Sequence, residues 1–199
     1  MKYDITKLIK KYLEYYPEEV ESTSMLVKLV NDNKDNNENL INRKNFQGHL
    51  TASGFIYCIE NGKLLLLEHK SLKCFLQPGG HVEAIDNEMI DAAKREIEEE
   101  TGLKDLDIIS IDDEINVPFD IDSHFIPKNE KKNEDEHYHH DFRYFFTINS
   151  LKDIKIDFNE SNGYRWVDLD ILESHPRFAK VLGKIRKMIK KAKSKKLEQ

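Results

Sequence analysis

PGGHVEAIDNEMIDAAKREIEEETGL, residues 78–103, reads as a glycine turn, a short acidic loop and a helix that carries a dense block of glutamates. Met89, Ile90, Ala93 and Ile97 recur at the 3.6-residue period, so one face of the helix can pack inward. Glu96, Glu99 and Glu100 stand at i, i+3 and i+4, which puts their carboxylates on one face. Like charges at that spacing repel by a few tenths of a kcal/mol per pair on a bare helix. A hard divalent cation with oxygen ligands, Mg²⁺ or Mn²⁺, reverses that balance. Arg95 stands beside the acids as a counter-charge, and Gly102 falls where a left-handed C-terminal cap needs glycine. Gly79 and Gly80 free the backbone for a close approach, so that the Gly80 carbonyl can join Glu96, Glu99 and Glu100 around the cation. The bland alternative for any glutamate run is a solvated acidic helix.

On these residues the run resembles the Nudix box, G-x5-E-x7-R-E-U-x-E-E-x-G-U with U aliphatic. Its second half, Arg95-Glu96-Ile97-Glu98-Glu99-Glu100-Thr101-Gly102-Leu103, matches without a gap. The first half departs: Asp86 stands at the first box glutamate, and eight residues rather than seven separate it from Arg95. The extra residue falls in the loop, where it affects the usual carboxylate–arginine contact and leaves the helical carboxylates in place. Gly48-His49-Leu50-Thr51-Ala52-Ser53, Leu76-Gln77-Pro78-Gly79-Gly80-His81 and Arg165-Trp166 are similar to bacterial Nudix hydrolases as well, so the resemblance covers roughly residues 47 to 170.

The resemblance implies an α/β/α sandwich with a mixed sheet, and cleavage of the diphosphate linkage of a nucleoside diphosphate joined to another moiety. A cation on the glutamates would polarise the diphosphate and lower the pKa of an attacking water. A general base is needed too, either a box glutamate such as Glu99 or Glu100 or an acid from a later loop. Glu160, just before Tyr164, is the candidate from outside the box.

A second polar face lies further along. His137, His139, Asp141 and Arg143 alternate onto one side of a strand while Tyr138, Phe142 and Tyr144 take the other. Such a face suits a substrate cleft, with Arg143 as a fork for phosphate oxygens and a histidine as ligand or proton carrier. Its alternative is an exposed sheet face. His81, directly after the glycine turn, belongs to the same candidate set, and His124 is a weaker one.

The remainder of the chain reads as support. Its 199 residues allow one domain with additions, and no apolar run approaches the ~20 residues of a membrane span. Residues 1–46 form a helical extension, 47–174 the domain and 175–199 a C-terminal helix. Ile5, Leu8, Ile9, Tyr12 and Leu13 mark a first helix that Pro17 ends; Glu18 and Glu19 open a second, which decays into an exposed polar loop over 31–37. These helices pack either on the domain or on a second copy of the chain, in a homodimer. The net charge of −6 hides nine lysines and arginines against one glutamate in residues 180–199. Phe178, Val181, Leu182, Ile185, Met188 and Ile189 keep a helical stripe there, which favours a docked helix with a solvated basic face over nucleic-acid binding.

Strands are expected over Leu50–Ile59 and Leu64–Leu67, joined by a two-residue Asn61-Gly62 turn, and over 107–115, 139–148 and 164–167. Lys128–Glu136 reads as a charged loop near the site mouth. Cys58 and Cys74 lack metal or redox spacing, and with the Met1-Lys2-Tyr3-Asp4 opening they suggest a cytoplasmic protein with buried thiols. Two other readings stay open: a Nudix-fold nucleotide-binding module without hydrolysis, and an isomerase of diphosphate esters. The partner of the diphosphate is equally open, with Phe46, Phe119 and Tyr138 as candidate base-stacking aromatics.

Overall fold

A computed structural model describes residues 4–112, 114–130 and 133–197. Residues 1–3, Asp113, Lys131 and Lys132 of the charged loop, and the last two residues fall outside that description. The strands are β1 His49–Cys58, β2 Lys63–His69, β3 Cys74–Leu76, β4 Gly79–His81, β5 Asp107–Ile108, β6 Asp120–Ile126, β7 His137–Ile148 and β8 Ser161–Val167. The α-helices are α1 Ile5–Tyr15, α2 Ser24–Asp32, α3 Met89–Thr101, α4 Leu169–Glu173 and α5 Leu182–Leu197.

One mixed sheet holds all eight strands. Its spine is the parallel pair β1–β7, running from His49↔His139 to Cys58↔Ile148. The outer side of β1 is shared by β4 at its start and β2 at its end, and the outer side of β7 by β6 and β5 in the same way. Strand alternation then sorts the two faces. Leu50, Ala52, Ile56, Phe142, Tyr144 and Phe146 bury against Met89, Ile90, Ala93 and Ile97 of α3 and against α1 and α2. Phe55, Tyr57 and Phe145 take the other face, under Ile185, Met188 and Ala192 of α5. Helices on both faces of a mixed sheet make the expected sandwich.

Four local readings are corrected. The β1–β2 connection spans Ile59–Gly62 rather than two residues, because Ile59 and Glu60 still donate to Ile148 and Asn149, prolonging β1 beside β7. Gly62 then turns the chain at φ 68°. Strand β5 is two residues long instead of nine: Asp112 accepts from the backbone N–H groups of Glu114 and Ile115 and bends the chain. The second helix starts at Ser24, since Pro17–Glu19 forms a 3₁₀ turn. The polar run after it is partly ordered, with buried Asn33 bonding to Leu29 and accepting from Asn39.

The N-terminal extension packs on the domain itself. Ile5, Ile9, Tyr12, Leu26 and Leu29 belong to the core under α3. Lys184 of α5 donates to Tyr12 and to Asp120, each at 2.7 Å, and pairs with Glu19 at 2.5 Å, tying extension, sheet and C-terminal helix together.

Candidate active site

Helix α3 begins with a reciprocal capping box between Glu88 and Asp91 and ends at Gly102 with φ 71°, the left-handed cap expected from the sequence. Packing of its apolar side leaves Glu96, Glu99 and Glu100 along the edge that meets the Gly79-Gly80 turn. Glu100 accepts from the Gly79 N–H at 2.8 Å. A Cβ built on Gly80 would stand 2.5 Å from a Glu96 carboxylate oxygen, so glycine alone lets the backbone and that carboxylate meet.

Arg95 organises the loop between. Its Nε and Nη2 donate to the two oxygens of Asp86, each at 3.0 Å, and Nη2 also reaches the His81 carbonyl at 2.8 Å. Its Nη1 is shared by Glu96 at 2.9 Å and Glu99 at 3.2 Å. The carboxylate–arginine contact therefore forms despite the extra residue, with the shorter aspartate in a bidentate pair.

Glu160 comes to the same place. Asp157 N–H donates to the Glu100 carbonyl at 3.3 Å and Lys155 N–H to Thr101 at 2.9 Å, docking the 155–160 segment on the C-terminal end of α3. Glu160 there lies close enough to Glu100 to help raise its pKa. Glu96 and Glu100 thus meet the glycine backbone, with Glu160 beside Glu100 and Glu99 beside them on the exposed edge of the helix at Arg95. Glu96 and Glu100 are each only 8% exposed. That all-oxygen donor set fits Mg²⁺ or Mn²⁺.

Both buried carboxyls are held above the ordinary carboxylate range. Burial pushes Glu96 up to about 7 against the pull of Arg95. Burial also pushes Glu100 up to about 8 against the hydrogen bond from Gly79, with Glu160 and Glu96 adding to the rise. Both folded-state values stand above the ~4.3 of an unfolded glutamate. The folded protein therefore holds more protons than the unfolded chain between those limits, and stability must fall as pH climbs from about 5 to 8. Melts in chelator across that range should show this decline, and a Glu96→Gln/Glu100→Gln variant should lose most of it. Millimolar Mg²⁺ should raise Tm in the wild type, more at pH 8 than at pH 5, because the cation competes with protons. A flat profile, or the same cation effect in the double variant, would count against the site.

The second polar face lies on the opposite side of the sheet from α3. His137, His139, Asp141 and Arg143 share it as expected, joined by His49, Thr51 and Ser53 of β1 and by Asp120, Asp122 and His124 of β6. Arg143 has a different engagement from the expected phosphate fork. Its Nη1, Nη2 and Nε donate to Asp120 at 3.0 Å, Asp122 at 2.9 Å and Asp141 at 3.1 Å, and its side chain is 13% exposed. Burial opposes its charge, yet those carboxylates hold the guanidinium above the ordinary arginine value. Asp141 is likewise committed, accepting from Ser53 at 2.7 Å and Thr51 at 3.3 Å as well.

The histidines gather at the other end of this face. The His81 ring lies 5.1 Å from that of His49 and 5.0 Å from that of His139, and His124 is 5.6 Å from His139. Burial, then the neighbouring histidines, lowers His139 to about 2; burial likewise lowers His49 to about 4. Of the aromatics considered for base stacking, Phe119 is in the core at 1% exposure, while Phe46 and Tyr138 remain half-buried. The structure adds His49, Asp120 and Asp122 to this face, with Lys184 bonded to Asp120. The signal was present for β6, whose Asp120, Asp122 and His124 alternate with Ile121, Ser123 and Phe125.

Among the described residues no helix is long and apolar enough to cross a membrane. A crystal structure of a NUDIX-family hydrolase from Clostridium perfringens superposes with a TM-score of 0.53 at 26% identity, covering 75% of this chain and 97% of that one. An Ap4A hydrolase binary complex from C. elegans gives 0.52 at 17% identity, over 75% and 98% of the two chains, a likeness of fold. A protein of Lactococcus lactis subsp. cremoris (strain MG1363), named as a probable DHNTP pyrophosphohydrolase, is 34% identical over 134 residues, 64% of this chain and 71% of that protein. The family model described as NUDIX domain matches residues 49–188, taking in the box helix, the glycine turn, the Glu160 loop and half of α5. On that match over more than half of its length, the chain belongs to the Nudix hydrolases, enzymes that act on diphosphate bonds.

Proposed function

We propose that this chain is a cation-dependent pyrophosphohydrolase that uses Mg²⁺ or Mn²⁺ to cleave the diphosphate linkage of a nucleoside diphosphate joined to another moiety. The observation that carries the reading is the meeting of Glu96 and Glu100 with the Gly79-Gly80 backbone, with Glu160 beside Glu100. A divalent cation held there would neutralise diphosphate oxygens and acidify an attacking water. Glu96, Glu99, Glu100 and the Gly80 carbonyl are its ligands in this reading. Glu160, on a loop docked to the helix end, accepts the proton of the water; Glu99 or Glu100 is the alternative acceptor within the box. Arg95 keeps the 81–86 loop against the helix so that the carboxylates meet the diphosphate in register. Free thiols at Cys58 and Cys74 suit a reducing, cytoplasmic setting.

The test is product detection from a panel of nucleoside triphosphates, DHNTP, nucleotide sugars, ADP-ribose and dinucleoside polyphosphates: pyrophosphate from the triphosphates, and from the others the two phosphorylated fragments, separated by chromatography or counted as phosphate after an added phosphatase. DHNTP is included because of the name of the Lactococcus lactis relative. Turnover of at least one compound should appear with Mg²⁺ or Mn²⁺ and vanish in chelator. Turnover that persists unchanged in chelator would sink the cation-dependent reading. Binding without turnover of any member would favour a nucleotide-binding module.

A further inference from the structure

The described residues contain a single buried side-chain nitrogen or oxygen without a hydrogen-bond partner: Nε2 of His49, in a residue only 1% exposed. It lies among other ring nitrogens. His49 on β1 is the register partner of His139 on β7, and His137 stands two residues earlier on the same face. One ring nitrogen from each of His49, His137 and His139 falls within 4.8 Å of the others. The His137 and His139 Nε2 atoms are 3.2 Å apart, and the His49 ring is centred 4.8 Å and 4.6 Å from the other two.

The tautomers decide what this arrangement can bind. Nδ1 of His137 lies 2.7 Å from the Asp135 carbonyl, and Nδ1 of His49 lies 3.5 Å from the Asn45 carbonyl. A carbonyl only accepts, so both rings carry their proton on Nδ1 and present a lone pair at Nε2. His139 can satisfy one of them by donating from its own Nε2, and the lone pair of His49 is then left buried without a donor. Such an orphan is destabilising, since the group has left water without a replacement partner. A cation placed between the rings accepts all three lone pairs at once, with the carbonyl contacts of His137 and His49 fixing ring orientation as outer partners do in metal sites.

We propose that His49, His137 and His139 form a binding site for a late first-row transition-metal ion, Zn²⁺ in the first instance, separate from the oxygen-donor site of the box helix. Imidazole nitrogen selects such ions, whereas carboxylate and carbonyl oxygen suit Mg²⁺ and Mn²⁺. Zinc–nitrogen bonds of ~2.0–2.1 Å in tetrahedral geometry place ligand atoms a little over 3 Å apart. The His137–His139 pair already has that separation, and a His49 ring nitrogen lies within 4.8 Å of both. The His81 and His124 rings border His139, and either could occupy a fourth position. The strands of the site belong to the sheet spine, so the ion would clamp β1 to β7 at the end where the chain enters the domain.

Full-length protein stripped with chelator and titrated with Co²⁺ tests this. One equivalent should produce the intense visible bands of tetrahedral cobalt, and Zn²⁺ should displace it stoichiometrically. The signal should survive in Glu96→Gln/Glu100→Gln, which removes box ligands, and the affinity should drop at least 100-fold in His139→Gln. Survival in the box variant also separates this site from the diphosphate reading: either can fail while the other stands. The wild type gives a second readout that needs no substitution. Imidazole ¹⁵N spectra with and without Zn²⁺ should move the Nε2 signals of three histidines whose Nδ1 atoms stay protonated or hydrogen-bonded. Absence of stoichiometric Co²⁺ binding in the wild type, or bands lost in the box variant and retained in His139→Gln, would overturn the proposal.

Discussion

Glu100→Gln is expected to lower kcat by two orders of magnitude or more, and Glu99→Gln by a similar factor, without unfolding the protein. A hundredfold loss corresponds to about 3 kcal/mol of transition-state stabilisation, the scale on which a well-placed electrostatic contact acts. The structural side of the exchange is mild. The glutamine amide oxygen at position 100 can still accept from the Gly79 N–H that Glu100 now engages at 2.8 Å. Removing one of the converging carboxylates also relieves repulsion among Glu96, Glu100 and Glu160, so the cation-free Tm should hold or rise. Glu99 is the exposed member of the set, its side chain 59% accessible, and on substitution its 3.2 Å contact from Arg95 loses charge while the amide oxygen can still accept. Steady-state kinetics with one accepted substrate, alongside thermal melts in chelator, separates the two effects. Full activity in both variants would remove Glu99 and Glu100 from the cation site. Low activity with a collapsed Tm would mean that the loss is structural.

The box helix could be read from the sequence because everything that shapes it is local. The 3.6-residue apolar period, the glycine cap and the i, i+3, i+4 carboxylates lie within one stretch, and the structure keeps them all. The Arg95–Asp86 pair was harder, since it depends on how a loop with one extra residue folds back over the helix. Strand β6 was missed for a different reason. Aspartate is a poor strand former, and what makes Asp120–Ile126 a strand is its pairing with β7, fixed partly by the Arg143 contacts to Asp120 and Asp122. His49 illustrates the same limit: it was legible as part of a motif, but its neighbours His137 and His139 meet it only through a parallel pairing nearly ninety residues distant. Turn chemistry explains the shortened β5, where Asp112 captures backbone N–H groups that a strand would have used.

Arg143 is where the structure changes an expectation most, and the change is measurable. Read from the sequence, Arg143→Lys would spare stability and cut kcat/KM more than tenfold, as for a fork on phosphate. Read from the structure, the guanidinium is the shared cation of Asp120, Asp122 and Asp141, two of them nearly buried, and Asp120 in turn is held by Lys184. Arg143→Met leaves those carboxylates without their cation, a loss of about 3–5 kcal/mol for a broken buried pair. For a domain of this size that is roughly 6–20 °C in Tm. Arg143→Lys should fall between, because one compact ammonium cannot serve three carboxylates at the points of a planar fork. Stranded carboxylates also take up protons more readily in the folded state, so the penalty is present above their raised folded-state pKa and shrinks as pH falls through it. Melts of wild type, Arg143→Lys and Arg143→Met at pH 5 and pH 8 therefore decide the matter. A gap that is wide at pH 8 and narrow at pH 5 identifies the carboxylate clamp. Unchanged melts with a tenfold fall in kcat/KM for Arg143→Lys would return this arginine to the substrate.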